Sequence, residues 1–552
     1  MNTKLLLAAA CIAVLSACGG GSSAPTMTST TSTTPPPTPP PTTPPPAAST
    51  GPGTDVTTYK NDVSRSGLNS TETTLTPSNV NSSSFGLLRT LPVDGKVDAQ
   101  PLYLSQLKIA GTAHNVVFTA TEHGSVYAFD ANSGAVLWHV SMLKSGETTS
   151  GSLGCSQVIP EIGVTATPVI DRSAGAHGTI FVVAMSLDAS SNYHQRLHAL
   201  DVTTGAELLG GPTEIGASVA TAAGGTNVFN PTQYEERAAL LLSNGSIYIG
   251  FTSHCDAPPY SGWVMAYAES TLAQTSVLNV GQNSNTGPSI WMAGGGPAAD
   301  AAGNVYLLTA NGAFETTLDA QGFPNLHDFG NSFVKIANSG GSLAIADYFA
   351  LTDTVAASAA DRDLGSGGAM VLPDLTDSAG TVHHLIVGAG KDGNIYVVNR
   401  DSMGKFSPSA NNIYQQLTAA VAGGVFSTPA YFNNTVYYAD VGGSLKAFAI
   451  SNAMLSAAPQ SQSGVQFAYP GSAASVSANG TTNGIVWAHQ DTSPGVLYAF
   501  DATNLTHELY DSSQAGSRDQ FGIGNKFITP TIADGQVFVG TTNSVAVFGL
   551  LQ

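Results

Sequence analysis

One strand, written eight times, governs what this chain can fold into. Apolar residues alternate with small or polar ones in Ser125-Val-Tyr-Ala-Phe129-Asp-Ala131. The pattern returns as Arg196-Leu-His-Ala-Leu200, Trp263-Val-Met-Ala-Tyr267, Ser332-Phe-Val-Lys-Ile336, Asn394-Ile-Tyr-Val-Val398, Ser444-Leu-Lys-Ala-Phe448, Val496-Leu-Tyr-Ala-Phe500 and Ser544-Val-Ala-Val-Phe548. Period-two alternation is the mark of a strand. The strand before it repeats too, from Val116-Val-Phe-Thr-Ala120 to Val537-Phe-Val-Gly540. Several units open on Gln100-Pro101, Thr167-Pro168, Gly296-Pro297, Thr428-Pro429 or Thr529-Pro530. A proline there removes one ladder donor, which an edge strand lining a central channel tolerates. Turns such as Asp130-Ala-Asn-Ser-Gly134 lead into a fourth strand. Four short antiparallel strands per unit, recurring every 48 to 71 residues, predict an all-β fold, an eight-bladed β-propeller. After Phe548 the last unit lacks its outer strand, and Gly86-Leu-Leu-Arg-Thr-Leu91 reads as the missing one. The ring is expected to close on its own N-terminal strand.

The propeller takes residues 55–552. Before it, Lys4 and the apolar run from Leu5 to Leu15 have the layout of a secretory signal, too short to span a bilayer. Leu15-Ser16-Ala17-Cys18 resembles the bacterial lipobox, so residues 1–18 are expected to be a lipoprotein signal whose Cys18 carries the acyl chains of a membrane anchor. The alternative is an ordinary signal with an incidental cysteine. Gly19, in place of an aspartate, points to the outer membrane. Residues 19–54 are almost wholly Gly, Ser, Thr, Ala and Pro, a composition that cannot bury enough apolar surface to fold and reads as a stalk. With 18 basic against 37 acidic residues and a net charge of −19, nucleic acid is excluded as a partner. Cys11 lies in the signal, which leaves Cys155 and Cys255. In an oxidising compartment they read as a disulfide, the alternative being two separate buried thiols.

The segment Val126-Tyr-Ala-Phe-Asp-Ala-Asn-Ser-Gly134, leading to Leu137-Trp138, resembles the repeat of pyrroloquinoline quinone (PQQ) enzymes, and the resemblance runs from Asp55 to the end. That family includes calcium- and PQQ-dependent alcohol dehydrogenases and a lipoprotein that scaffolds outer-membrane protein assembly, so the resemblance implies the fold more narrowly than the function. In a propeller, the turns joining second to third strands gather on one face. Here they bring Glu122, His123, His254, Asp256, Asn311, Lys391, Asp392, His489 and Asp491 to one funnel, where ligands are expected.

Three segments are similar to parts of the dehydrogenase site. The resemblance implies that Asn311, in Tyr306-Leu-Leu-Thr-Ala-Asn311-Gly312, is a calcium ligand, and that Asp328 is the general base on the alcohol. It implies too that Lys391, in Gly390-Lys391-Asp-Gly-Asn-Ile-Tyr, is the cation beside the quinone carbonyls. Trp291 lies near the place of the tryptophan on which the quinone rests. Against this, the chain has no pair of adjacent cysteines to cap a quinone and no haem signature. Its second blade offers Asp188 where the family has a glutamate ligand. Gly388-Ala-Gly390-Lys-Asp-Gly393 spells a dinucleotide fingerprint but precedes a strand rather than a helix. His194 and His198 have zinc-like spacing, yet on a strand they stand roughly 13 Å apart. On these departures the leading expectation is a non-catalytic, lipid-anchored module that binds a protein or saccharide at the cell envelope. A PQQ- and calcium-dependent dehydrogenase of a small alcohol or sugar is the second.

Overall fold

A computed structural model of the chain describes residues 55–283 and 287–552. The signal, the stalk and the proposed anchor at Cys18 lie outside the described residues. Residues 55–552 form the expected eight-bladed propeller of mainly four-stranded antiparallel sheets. The first blade runs outward through Leu102–Ile109, Thr112–Ala120, Ser125–Asp130 and Val136–Ser141. The third strands of the other seven are Tyr193–Asp201, Trp263–Ala268, Ser332–Ser339, Ile395–Asn399, Ser444–Ser451, Val496–Asp501 and Ser544–Leu550. All carry the repeat read from the sequence. The eighth blade takes its outer strand from Phe85–Pro92, which pairs antiparallel with Ser544–Leu550, Leu87 opposite Phe548 and Thr90 opposite Ala546.

Packing explains why the alternation is so strict. A four-stranded sheet is too small to hide both faces alone, so the apolar clusters form between neighbouring blades. Val264 and Ala266 of the third blade pack with Val305, Leu307 and Val334 of the fourth, all fully buried. Each such side chain contributes about 1.5–3 kcal/mol, and the ring is the arrangement that gives every blade two neighbours.

Residues 55–71 do something the repeat does not announce. This segment crosses the inner edges of the blades and pairs with them one after another: Ile170 donates to Thr57 at 2.8 Å, Ala299 to Val63 at 2.7 Å, Val371 to Ser64 at 2.9 Å, Tyr431 to Ser66 at 2.9 Å and Val476 to Gly67 at 2.7 Å. Two buried cations fix it. Arg65 donates to the carbonyls of Pro297 and Leu240, at 2.7 and 3.0 Å, and the Lys60 ammonium donates to those of Pro429 and Ala474. Pro297 and Pro429, which open inner strands, thus leave carbonyls for which the N-terminal segment supplies donors.

Candidate functional site

On the funnel face, the turns border a cavity of about 510 Å³ lined by Arg237, Cys255, Asp256, Trp291, Asp363 and Lys391, among others. Its best-connected group is an acidic cluster around one lysine. Lys391 Nζ lies 2.7 Å from Asp361 Oδ1 and 3.6 Å from Asp363 Oδ2. Asn311 Nδ2 donates to Asp361 Oδ1 at 2.8 Å, and Asn311 N donates to Asp363 Oδ1 at 3.2 Å. The amide oxygen of Asn311 is buried with no hydrogen-bond partner. Burial pushes the Asp363 carboxyl up to about 7, with Lys391 opposing and the Asp256 and Asp361 carboxylates reinforcing the rise. For Lys391 burial acts downward, but Asp363 and Asp361 outweigh it and raise the ammonium above lysine's ordinary value.

Asp361 and Asp363 went unrecognised in the sequence because they belong to no repeat. They sit on the connection that follows the outer strand Ser342–Ala350, after a single helical turn, Thr354–Ala359. Two glycines let this connection wedge between turns of neighbouring blades. A Cβ on Gly365 would lie 2.4 Å from Ala310 N, and one on Gly390 would lie 2.3 Å from Asp363 O. Contacts that short are open only to glycine. They are why Asn311, Asp363 and Lys391 meet.

Trp291 forms another part of the wall. Its Nε1 donates to Asp256 Oδ1 at 2.9 Å, and Asp256 also accepts from Ser253 Oγ at 3.0 Å. Cys255, beside it, is bonded to Cys155, so the disulfide expected from the sequence is formed and borders the cavity. The connection that carries Cys155 reaches on across the mouth, where Gln157 Oε1 accepts from Tyr469 Oη and Lys526 Nζ, both at 3.2 Å.

The other sequence candidates divide. Asp328 is buried, accepts from Asn283 N at 2.8 Å and has Glu315 beside it; the structure does not bring it to the cavity wall. Asp188 is held in its own turn by Ser190 and Asn192, both N–H groups at 2.8 Å. Asp392 likewise accepts from Asn394 N at 3.0 Å within its turn. Glu122 is buried behind the funnel, where Gly163 N and Thr165 Oγ1 donate to it at 3.0 Å and burial raises its carboxyl well above the usual range. His123 is exposed and meets Glu161 at 3.1 Å. His254 is buried 3.4 Å from Glu235. His489 and Asp491 border a smaller recess beside the cavity, with Phe527 common to both; burial lowers the His489 imidazole to about 4. His194 pairs with Glu214 and His198 with Glu207, so these two histidines serve separate carboxylates. Among the described residues, no three His, Cys, Asp or Glu side chains are placed to hold a metal.

A family model described as outer membrane protein assembly factor BamB matches residues 122–249. In fold, this chain is a propeller of the PQQ type. No curated protein sequence matches it. Among solved structures, the PQQ-repeat propeller is similar to the quinohemoprotein alcohol dehydrogenase of Comamonas testosteroni, at 14% identity, with 90% of this chain and 80% of that one covered and a TM-score of 0.58. Quinohemoprotein alcohol dehydrogenase ADHIIG of Pseudomonas putida HK5 gives 13% identity over 90% of this chain and 80% of that one, with a TM-score of 0.57. A europium-containing methanol dehydrogenase gives 13% over 91% and 99%, with a TM-score of 0.53. At such identities the likeness is one of fold.

Proposed function

We propose that the cavity is the site of a dehydrogenase acting on a small alcohol or sugar with PQQ as its redox cofactor, held at the outer membrane by an acyl anchor on Cys18. Asp363 carries this reading. It is a buried carboxyl with a pKa near 7, in contact with a lysine and open to a cavity of ligand size. A general base works best with a pKa near the operating pH. In this reading Asp363, rather than Asp328, is the base. The missing glutamate of the second blade loses weight, because the connection after the fourth blade brings carboxylates to the cavity.

The residues present fit the cofactor. Lys391 gives the cavity positive charge for a carboxylated quinone, and Trp291 gives it a flat aromatic wall. The unpartnered amide oxygen of Asn311 is a hard donor suited to calcium, and Asn311 and Asp361 would hold that ion. PQQ, when bound, would take up the two electrons that the alcohol loses. Asp363 takes the hydroxyl proton on its carboxylate, Lys391 holds that carboxylate's charge, and Asp256 keeps the Trp291 indole in one orientation. Purified protein mixed with PQQ and calcium is expected to gain quinone absorbance and to oxidise alcohols or sugars with an artificial dye. Absence of uptake at saturating cofactor would overturn the reading.

A second reading, a binding platform for an envelope protein or saccharide, is favoured by the match of residues 122–249 to an assembly-factor model. It predicts a specific partner recovered by cross-linking from intact cells, with the Asp363→Asn variant as with the wild type.

A further inference from the structure

The cavity has a second charged wall, opposite in sign to the Asp361 and Asp363 cluster. Arg237 forms it, only 3% exposed. Its guanidinium lies 4.6 Å from the centre of the Phe527 ring, and its Nε and one terminal nitrogen are buried without a hydrogen-bond partner. Among the described residues Arg237 forms no ion pair. Asp98, which feels its charge, is already engaged by Lys96 at 2.9 Å and by Asn525 at 2.9 Å. Lys526 adds further positive charge, its ammonium lowered by burial and then by Lys96 and Arg237. Burial holds Glu122 well above the usual carboxylate range and raises Asp491.

A buried guanidinium without a partner is costly, by several kcal/mol. An anion entering the cavity removes that cost, and the planar fork of arginine matches a carboxylate through two parallel hydrogen bonds. We propose that Arg237 is a carboxylate-recognition residue and that the substrates are hydroxy acids, such as sugar acids, with the carboxylate on Arg237 and a hydroxyl at the Asp363 and Lys391 end. The hydroxyl half of this inference rests on the dehydrogenase reading. The carboxylate half rests on Arg237 alone.

Trp291 lines the cavity, whereas Trp138, Trp263 and Trp487 are buried, at 8, 0 and 0% exposure. Tryptophan fluorescence of the full, cofactor-free chain therefore reports on occupancy without any turnover. Titration with D-gluconate is expected to give a saturable change, and D-glucose to bind at least tenfold more weakly. Arg237→Met is expected to weaken gluconate at least tenfold, with Arg237→Lys in between. Should the methionine variant fail to fold by circular dichroism, Lys526→Met, at the edge of the same wall, is expected to weaken gluconate severalfold. Equal binding of gluconate and glucose, or wild-type gluconate binding in the folded Arg237 variants, would overturn the proposal. A carboxylate on Arg237 could also come from PQQ itself. If Arg237→Met loses PQQ uptake and keeps its gluconate response, the carboxylate belongs to the cofactor and the substrate assignment fails. If the wild type takes up no PQQ, the dehydrogenase reading fails, and the gluconate titration still decides the carboxylate site.

Discussion

Lys391 is tied to Asp363 twice: its backbone N–H donates to the Asp363 carbonyl at 2.8 Å, and its ammonium stands 3.6 Å from the same residue's carboxylate. The carboxyl titrates near 7 in this setting, and a protonated Asp363 cannot take a hydroxyl proton. The rate at low substrate is therefore expected to climb with pH through about 7 and then level. Asp363→Asn is expected to lower it by about 10²–10⁴ and to remove that limb. Stability runs the other way. A carboxyl raised in the folded state imposes no penalty below its unfolded pKa of about 4, and stability is lost as pH rises through about 7. The urea midpoint of Asp363→Asn is thus expected to gain on the wild type between pH 5 and 8. A constant difference across that range would show that Asp363 does not titrate there.

Removing the ammonium sharpens the test. In Lys391→Met, Asp363 would face Asp361 without the ammonium that opposes the rise of its carboxyl. Like charges raise a carboxyl further, so the alkaline-rising limb is expected to move up by about one pH unit or more, with the maximal rate reduced. A pH–rate profile settles the direction. An unmoved limb would mean that Lys391 does not set the charge of Asp363.

How much of this was legible in the sequence follows from what repeats. Eight strands with one apolar alternation specify the blades, and the missing outer strand after Phe548 specifies the closure by Phe85–Pro92. Asn311 and Lys391 were named because they sit in turns between second and third strands, and Trp291 because it lies near the place of the family's tryptophan. Asp361 and Asp363 were not, since their connection has no counterpart in other blades and reaches the site through backbone contacts at Gly365 and Gly390 that no residue pattern encodes. Asp328 was named from the likeness of its segment to the family's catalytic aspartate, and in the structure it is buried beside Glu315. Arg237 was hidden for another reason. It sits just before an inner strand, where the repeat makes no demand for charge.

The crossing of the inner edges by residues 55–71 can be tested at Arg65. This guanidinium is fully buried and donates to Pro297, Leu240, Tyr59 and Thr58, at 2.7, 3.0, 2.9 and 2.7 Å. Arg65→Met leaves the axial carbonyls of the third and fourth blades without donors in a place where each unmade bond costs about 1–3 kcal/mol. A loss of about 3–5 kcal/mol in urea unfolding is expected. A change below about 1 kcal/mol would mean that water replaces the side chain and that the segment does not clasp the ring.

The disulfide offers a different separation, between holding the ring together and covering its cavity. Cys155 and Cys255 are 100 residues apart, and closing a loop of that length stabilises by about 2–5 kcal/mol, chiefly by restricting the unfolded chain in the chain-entropy account. Replacing both cysteines by alanine is expected to lower the urea midpoint accordingly. The same bond also pins the connection whose Gln157 reaches Tyr469 and Lys526 at the cavity that Trp291 lines. If that cover depends on the bond, acrylamide quenching of Trp291 fluorescence should rise in the double variant under conditions where it remains folded, and Gln157→Ala should reproduce part of the increase without the loss of stability. A stability loss with unchanged quenching would assign the disulfide to the scaffold alone, leaving the three-way contact of Gln157 to hold the cover by itself.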